Sequence, residues 1–598
     1  MNAALRALTH FETYRSRAAA IDARIACGQV WRDADRSERD WAVDATTGVA
    51  LLVNGAVFSV GPIARRIDAR RLLEGYLTAG ALAPRELDGA FQILLADPRK
   101  GSVFLYNDRL GTLPAYYGRH NGVVCVAPEA KAVFAALSLQ PQLATAGIVS
   151  FLSCGYCLGS TTLFAGVSFL EPGSSLEIAV ASGEIAVQRY WKMQYRSARA
   201  LRSRAAAESA LHGAIARAHE VLVGDSERGF DLMLSGGWDS RGILAYLHSL
   251  GRMPSTGVSW GLTKDIPQSD PFIASQLAQR FAVPFKFVSY DSDEFVANAR
   301  NWCYLSELAN DNIGWYAEGA SVLAGQYHTA ADFTLVGDES WGWHGHPRTE
   351  QDARNACMPA SPGAQTLACL SPGIRDESRA RYEADVTRVL AACDNEHPAD
   401  RRDFLYLHGR VARFIFALGY YKEFATEVRR PFLLGNVLDV LAEVPARFRA
   451  DKNLYISMLG RFFPEVAAFP SRAADSLPDW TRDIRAKPEL RNLFLDLLDE
   501  RSMGGTLGTV LDGASVEKLK NTFFAGNAAS KPAAGKRSLV ARLPLRMRQR
   551  LRASGLYPGS TNMAGAYASR GAATLVRCIA LLSLLQRSLP AFAARAAP

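Results

Sequence analysis

The segment that most constrains the fold is Leu234-Ser235-Gly236-Gly237-Trp238-Asp239-Ser240-Arg241, set between two different periodicities. Before it, Phe230 to Leu234 is a short apolar run with the pattern of a buried strand. After it, Ile243, Leu244 and Leu247 share one helical face. A strand that breaks into a small-residue turn and re-forms as a helix aims several backbone N–H groups, with the positive end of the helix dipole, at one point. That point suits phosphate. No Lys follows the glycines, and an acid sits inside the turn. An acid beside phosphates needs a bridging cation, so Asp239 reads as a Mg2+ ligand.

A magnesium-binding acid calls for a second carboxylate on a neighbouring strand end. The run Leu335-Val336-Gly337-Asp338-Glu339-Ser340-Trp341-Gly342 supplies one, with Gly and then acids directly after a β-type segment. Two carboxylates, phosphate oxygens and water satisfy octahedral magnesium.

At 598 residues the chain exceeds a single core and should divide into domains. Short β-type runs dominate residues 46 to 190: Val49 to Val53, Phe91 to Ala96, Ser102 to Tyr106, Val123 to Val126 and Ser175 to Ala179. That part should be mostly antiparallel sheet, with a boundary in Ser197 to Ala207. Strand and helix then alternate. Phe230 to Leu234, Ser255 to Trp260, Phe285 to Tyr290 and Asp332 to Val336 are the expected strands, and Asp270-Pro271 opens an expected helix as N-cap and N1. Alternation of this kind implies a parallel, doubly wound sheet whose ligands bind at the C-terminal strand ends. Residues Ala353 to Ser378 read as a long loop or lid, and Met503 to Arg537 as flexible. The stripe Phe404, Leu407, Val411, Phe414 and Leu418 reads as helical core.

Composition excludes several classes. Nine cysteines without regular spacing argue against a disulfide framework or a structural zinc site, the pair Cys154 and Cys157 having no answering pair. Met1 to Arg24 lacks the apolar run of an export signal. Leu575 to Leu589 is interrupted by Arg577, Gln586 and Arg587 and is too short to span a bilayer. A cytoplasmic protein without a membrane or nucleic-acid partner is expected. The net charge of +9 is mild for this size, and basic residues from Lys536 to Arg552 alone give only non-specific attraction.

With these residues in place, the chain resembles the asparagine synthetase superfamily over roughly residues 46 to 475. Its Ser-Gly-Gly-x-Asp-Ser loop resembles the pyrophosphate loop of ATP pyrophosphatases, and Asp239 and Asp338 fall on the family's magnesium acids. Glu427-Val428-Arg429-Arg430-Pro431-Phe432-Leu433 is similar to the family's Glu-x-Arg-x-Pro-Phe-Leu helix region, and Asp451-Lys452-Asn453-Leu454-Tyr455 to the basic turn after it. The resemblance implies a mixed α+β and α/β architecture. Residues 1–195 would form an Ntn-type αββα sandwich, a degenerate glutamine amidotransferase-like domain. Residues 205–500 would form a doubly wound parallel-sheet ATP-pyrophosphatase domain, and 501–598 a flexible linker and basic helical tail. ATP would be held by Leu234, Ser235, Gly236, Gly237, Asp239, Ser240, Val258, Ser259 and Gly337, and Mg2+ by Asp239 and Asp338.

The N-terminal scaffold matches are Asn54-Gly55, Leu87-Asp88-Gly89-x-Phe91, Asp108-Arg109-x-Gly111 with Pro114, Tyr116 and Tyr117, and Glu129 with Lys131. The family's N-terminal nucleophilic cysteine is missing: position 2 is Asn2, which cannot serve as the nucleophile of acyl transfer. Cys27, without processing, lacks a free α-amine. No glutaminase activity is expected.

The remaining chemistry is adenylation of a carboxylate and its capture by an amine, which needs a base. Candidate bases are Glu427, Glu339 and Tyr420 or Tyr421, with Glu427 equally suited to an ion pair with Arg429. The family's late lysine has no counterpart in Phe469-Pro470-Ser471-Arg472-Ala473-Ala474-Asp475, where Arg472, or Lys452 elsewhere, would substitute. Relatives without the cysteine include β-lactam synthetases and the macrolactam synthetases that close lasso peptides. Trp238, Arg241, Trp341, Trp343, His344 and His346 suggest aromatic walls suited to a peptide, whose partners would be a precursor peptide and its processing protease. A small-metabolite or aspartate amidotransferase is the competing enzyme reading, and a non-catalytic binding protein retaining the fold is the third.

Overall fold

The computed structural model describes residues 1–32, 40–60, 65–196, 201, 203–312, 331–341, 347–499, 501, 503–526 and 571–594. Trp343, His344, His346 and the basic run Lys536 to Arg552 lie outside them.

The N-terminal half is antiparallel sheet. A hairpin of β1 (Arg15–Ala20) and β2 (Ala26–Trp31) follows helix α1 (Asn2–Leu8). The strands β3 (Trp41–Val43), β4 (Ala50–Ser59), β5 (Leu87–Asp97), β6 (Ser102–Asn107), β10 (Ser174–Ala179) and β11 (Glu184–Arg189) form a six-stranded sheet in the order β11-β10-β6-β5-β4-β3. A second sheet holds β7 (Tyr116–His120) between β8 (Val123–Ala127) and β9 (Val167–Phe169).

Period-two alternation fixes the layers. Leu51 and Val53 of β4 and Ile93 and Leu95 of β5 bury against Leu72, Leu73 and Tyr76 of α2 (Ala69–Ala79). The opposite face, with Leu105, Leu176 and Ile178, packs on Tyr117, Val124 and Val126 of the small sheet. Beyond that sheet lies α3 (Ala130–Leu137), giving helix, sheet, sheet, helix, and α4 (Thr145–Cys154) follows it.

The second half holds five parallel strands, β12 (Phe230–Met233), β13 (Thr256–Gly261), β14 (Phe285–Ser289), β15 (Phe333–Leu335) and β16 (Glu427–Arg429), in the order β14-β13-β12-β15-β16. Chain order runs one way from β12 to β14 and then returns to the other side of β12. The topological switch therefore lies between β12 and β15, where such sheets open a crevice at their C-terminal ends. Helices α6 (Trp238–Ser249), α7 (Asp270–Arg280) and α8 (Glu294–Ser306) lie in the crossovers, and α5 (Arg204–Val223) leads into β12. The true N-cap of α7 is Ser269, whose side chain accepts from the Phe272 amide, so Asp270 and Pro271 are one place further in than expected.

Three expectations are corrected. Residues 353 to 378 are not a bare loop: helices Glu350–Cys357 and Ala364–Ala368 occupy them, the first closed by a Thr349/Asp352 capping box. Within Met503 to Arg537, expected to be flexible, the described residues form helices Gly505–Val510 and Gly513–Ala525, and the tail, expected as helical, contributes the helix Ala572–Ala594. Residues Cys578 to Leu585 of the last are all buried, so this helix is enclosed by the main core on every side there rather than along one face. Residues Ala572–Phe592 are long and apolar enough to cross a membrane, and 72% of that window is buried inside the protein. Finally, the apolar stripe from Phe404 runs through a π-helix, Tyr406–Ile415, rather than a regular α-helix.

Two buried histidines make stability pH-dependent. Burial pushes the imidazole of His219 down to about 4 and that of His408 to about 3. His219 bonds the Ile215 carbonyl through Nδ1 at 2.8 Å, and Nε2 of His408 accepts from the Met193 amide at 3.1 Å. Both are neutral when folded and titrate near 6.5 when unfolded, so their contribution is complete above that value and is lost as pH falls. Burial raises Glu423 to about 7 and Asp108 to about 6, which acts in the opposite sense over the same range. Comparison of variants isolates the histidines. H219Q and H408Q should each escape about 2 kcal/mol of the acid-dependent loss between pH 7 and pH 5, read by urea unfolding against the parent. Parallel pH profiles for parent and variants would refute the assignment.

Candidate functional site

The phosphate-type loop leaves β12 at Leu234 and enters α6 at Trp238, with Gly237 as N-cap. Its shape is set by its own hydroxyls. The Ser235 amide donates to Ser240 Oγ at 3.0 Å, and the Gly237 amide to Ser235 Oγ at 3.1 Å. A Cβ on Gly236 would lie 2.9 Å from Ile273 Cδ1 and 3.1 Å from Asp270 Oδ1, so only glycine lets the turn sit this close to α7.

Beneath the turn lies Arg241, fully buried, whose guanidinium donates to five carbonyls. These are Gly236 at 2.6 Å, Gly237 at 3.2 Å, Pro470 at 2.9 Å, Phe469 at 3.0 Å and Val466 at 3.3 Å. It also stacks on Trp238 at 4.7 Å. One side chain thus ties the loop to the chain after Val466.

The two acids stand on adjoining strand ends. A Cβ on Gly337 would lie 3.0 Å from Asp239 Cβ, so the residue before Asp338 touches Asp239. Each acid is met by a cation. Lys452 Nζ donates to Asp239 Oδ2 at 2.6 Å and lies 3.5 Å from Glu339, while Arg430 Nε donates to Asp338 Oδ2 at 2.8 Å. The Trp341 indole donates to Asp239 Oδ1 at 3.1 Å, and its ring stacks on Tyr455 at 4.3 Å.

Burial works against the Lys452 charge, but Asp239 and Glu339 outweigh it and hold the ammonium well above its usual range. Lys452 is presented by a strained turn in which Asp451 and Lys452 both adopt left-handed backbone, φ 56° and 57°. Glu339 is buried and its carboxyl is raised, burial and the neighbouring Asp239 outweighing Lys452. Its oxygens accept from Tyr406 at 3.0 Å and from the Trp341 amide at 2.7 Å.

Leu234, Ser235, Gly236, Gly237, Asp239, Ser240, Gly337, Asp338, Glu339 and Lys452 therefore converge on the switch point. Val258 and Ser259 lie beside them as buried positions of β13, Val258 accepting from the Leu234 amide at 2.8 Å. Three candidates stand elsewhere. Arg472 pairs with Asp270 at 2.8 Å, half-exposed on the outer side of the Gly236 turn. Glu427 pairs opposite Phe333, at the beginning of β15, and so begins β16 at the end of the sheet away from the acids. Its carboxylate is ion-paired with Arg429 at 2.7 Å and Arg66 at 3.1 Å. The segment expected as a helix region begins as a strand because its three first residues are buried against β15. Tyr420 donates to Glu129 at 3.2 Å, on the N-terminal domain.

The sequence reading missed Arg430, Tyr406 and Lys422. Arg430 lies in the Glu427 to Leu433 motif, but only strand pairing shows which of two adjacent arginines reaches the site. Tyr406 arrives from the π-helix, which has no periodic signature. Lys422 is buried with its Nζ over Trp260 at 5.6 Å, and burial lowers it to about 8. Among the described residues no group of three or more His, Cys, Asp or Glu side chains could hold a metal alone. Asp239 and Asp338 supply two hard carboxylates on adjoining strand ends, which fits magnesium if phosphate completes the shell.

Residues 62–191 match a family described as a glutamine amidotransferase domain. None of the curated proteins compared matches the chain. Among solved structures, the chain aligns with a glutamine phosphoribosylpyrophosphate amidotransferase from B. subtilis complexed with ADP and GMP, at 12% identity and a TM-score of 0.19. The alignment covers 48% of this chain and 62% of that one.

Proposed function

We propose that the protein is an ATP-dependent carbon–nitrogen ligase that adenylates a carboxylate and condenses it with an amine, without glutaminase activity, and that its substrate is a peptide closed into a lasso-type macrolactam. The observation that carries the reading is the placement of Asp239 and Asp338 on either side of the topological switch, next to a phosphate-type loop.

Nucleotide phosphates would lie against the amides of Ser235 to Ser240 and the start of α6. Mg2+ held by Asp239 and Asp338 would neutralise phosphate charge when bound. The substrate carboxylate attacks the α-phosphorus, pyrophosphate leaves, and the amine then displaces AMP. Lys452, now on Asp239, is within reach of the same charge and stabilises it. Glu339 stands beside Asp239 and Lys452 and is the better-placed base, while Glu427 is ion-paired with two arginines at the far end. Trp341 and Tyr455 are buried against each other behind Asp239, so among the described residues Trp238, part-exposed over Arg241, is the aromatic left to meet a peptide.

The absence of ammonia chemistry rests on the N-terminal domain. Cys27 is buried on β2 and burial pushes its thiol up to about 12, the opposite of an activated nucleophile. The test is exchange of labelled pyrophosphate into ATP with candidate carboxylates. A peptide bearing a free N-terminus and an Asp or Glu side chain should support exchange, and glutamine should yield no glutamate. Exchange with free aspartate together with asparagine formation from glutamine would overturn the proposal.

A further inference from the structure

The surface joining the two domains contains a charged lattice that the chemistry above does not use. Arg66 belongs to the N-terminal domain, its backbone bridged to Phe58 of β4. Its guanidinium crosses the seam. Nη1 lies 3.1 Å from Glu427 Oε2 and 3.7 Å from Asp225 Oδ2, and Nη2 donates to the Gly55 carbonyl at 3.5 Å. Arg429 closes the lattice from the other side, donating to Glu427 at 2.7 Å and to Asp225 at 3.0 Å, and also to the Leu222 carbonyl. Asp225 and Leu222 lie at and just beyond the end of α5, in the connection that leads into β12.

The other end of the same short strand meets the site. Val336 donates its amide to the Arg429 carbonyl at 3.0 Å, and the next residue, Arg430, holds Asp338 at 2.8 Å. Downstream, the Gly435 amide donates to Asp88 at 2.8 Å, and a Cβ on Gly435 would collide with the Arg109 guanidinium. The N-terminal domain thus grips the β16 segment before and after Arg430. We infer that Arg66 is a positioning residue: by anchoring Glu427 it fixes β16 so that Arg430 presents Asp338 to the nucleotide site, and the amidotransferase-like domain serves the synthetase half as a brace. This rests on the proposed MgATP site.

Glu427 cannot reach the acids itself, but it sets the register and twist of the residues that do. Loss of Arg66 removes the ion pair by which the N-terminal domain holds Glu427 at the start of β16 and leaves the pair with Arg429 in place. The consequence should appear at Asp338 and depend on Arg430.

The experiment is calorimetric titration of the full chain with MgATP, in parallel with thermal unfolding, for the parent, R66A, R66K, R430A and R66A/R430A. R66A should weaken MgATP about tenfold, R66K should recover most of that loss, and R66A should add less than twofold in the R430A background. If R66A does not fold, R66Q, which keeps most of the side-chain volume, carries the same expectation. Unchanged MgATP affinity in R66A, or an equal loss in both backgrounds, would overturn the positioning role alone. A parent protein that binds no MgATP would overturn both this inference and the synthetase reading.

Discussion

Asp239→Ala and Asp338→Ala should each abolish pyrophosphate exchange, by about a thousandfold or more, while leaving the chain folded. The expectation combines two observations. Both carboxylates stand at the switch point, with Gly337 in contact with Asp239. Each also pairs with a cation, Lys452 or Arg430, that has a second carboxylate within reach, so its removal does not strand a lone buried positive charge. The two variants differ in what they strand. Without Asp239, Lys452 keeps Glu339 at 3.5 Å and stays charged; without Asp338, Arg430 retains Glu423 at 3.6 Å. Each variant should therefore unfold near the parent temperature. Asp239→Asn keeps an oxygen for the Trp341 indole but loses the charge, and should be as inactive as the alanine. Parent-like exchange in Asp239→Asn or in both alanine variants would remove the metal and phosphate role from these residues.

Arg241→Ala should be the most destabilising single change at the site, by about 3–5 kcal/mol in urea unfolding. The side chain is 0% exposed and donates to five carbonyls, those of Gly236, Gly237, Val466, Phe469 and Pro470. Truncation would strand those carbonyls in the interior and open a cavity beneath the phosphate-type turn. Burial lowers the guanidinium to about 10, so it remains charged at neutral pH without a carboxylate partner. Arg241→Lys should recover only part of the loss, since one ammonium cannot span the fork that reaches Gly236 on one side and Phe469 on the other. An R241A variant as stable as the parent would show that the turn holds its shape through Ser235 and Ser240 alone.

Several features were legible before any coordinates. The strand, glycine turn and helix around Asp239, and the glycine-acid pair after Leu335, each follow from local periodicity broken at one point. Alternating short runs likewise gave the antiparallel sheets, and strands separated by helical stretches gave the parallel one. The acids could be paired in advance because a crossover sheet brings its C-terminal strand ends together whatever the intervening sequence.

Where the sequence misled, the deciding contact was distant in the chain. Glu427 lies in a motif that points to the site, yet the pairing of β16 with β15 turns its carboxylate to the opposite end, into the grip of Arg66, 361 residues earlier. The late helix Ala572–Ala594 carries Arg577 and Arg587 and reads as a tail, yet its middle, Cys578 to Leu585, is wholly enclosed in the main core. Local sequence sets which backbone shape a segment prefers and which side chains share a face, because those depend on sterics and spacing within a few residues. Which end of a strand faces the cleft, which cation meets which acid, and whether an amphipathic helix finds a partner depend on burial between segments hundreds of residues apart, and only the folded chain decides them.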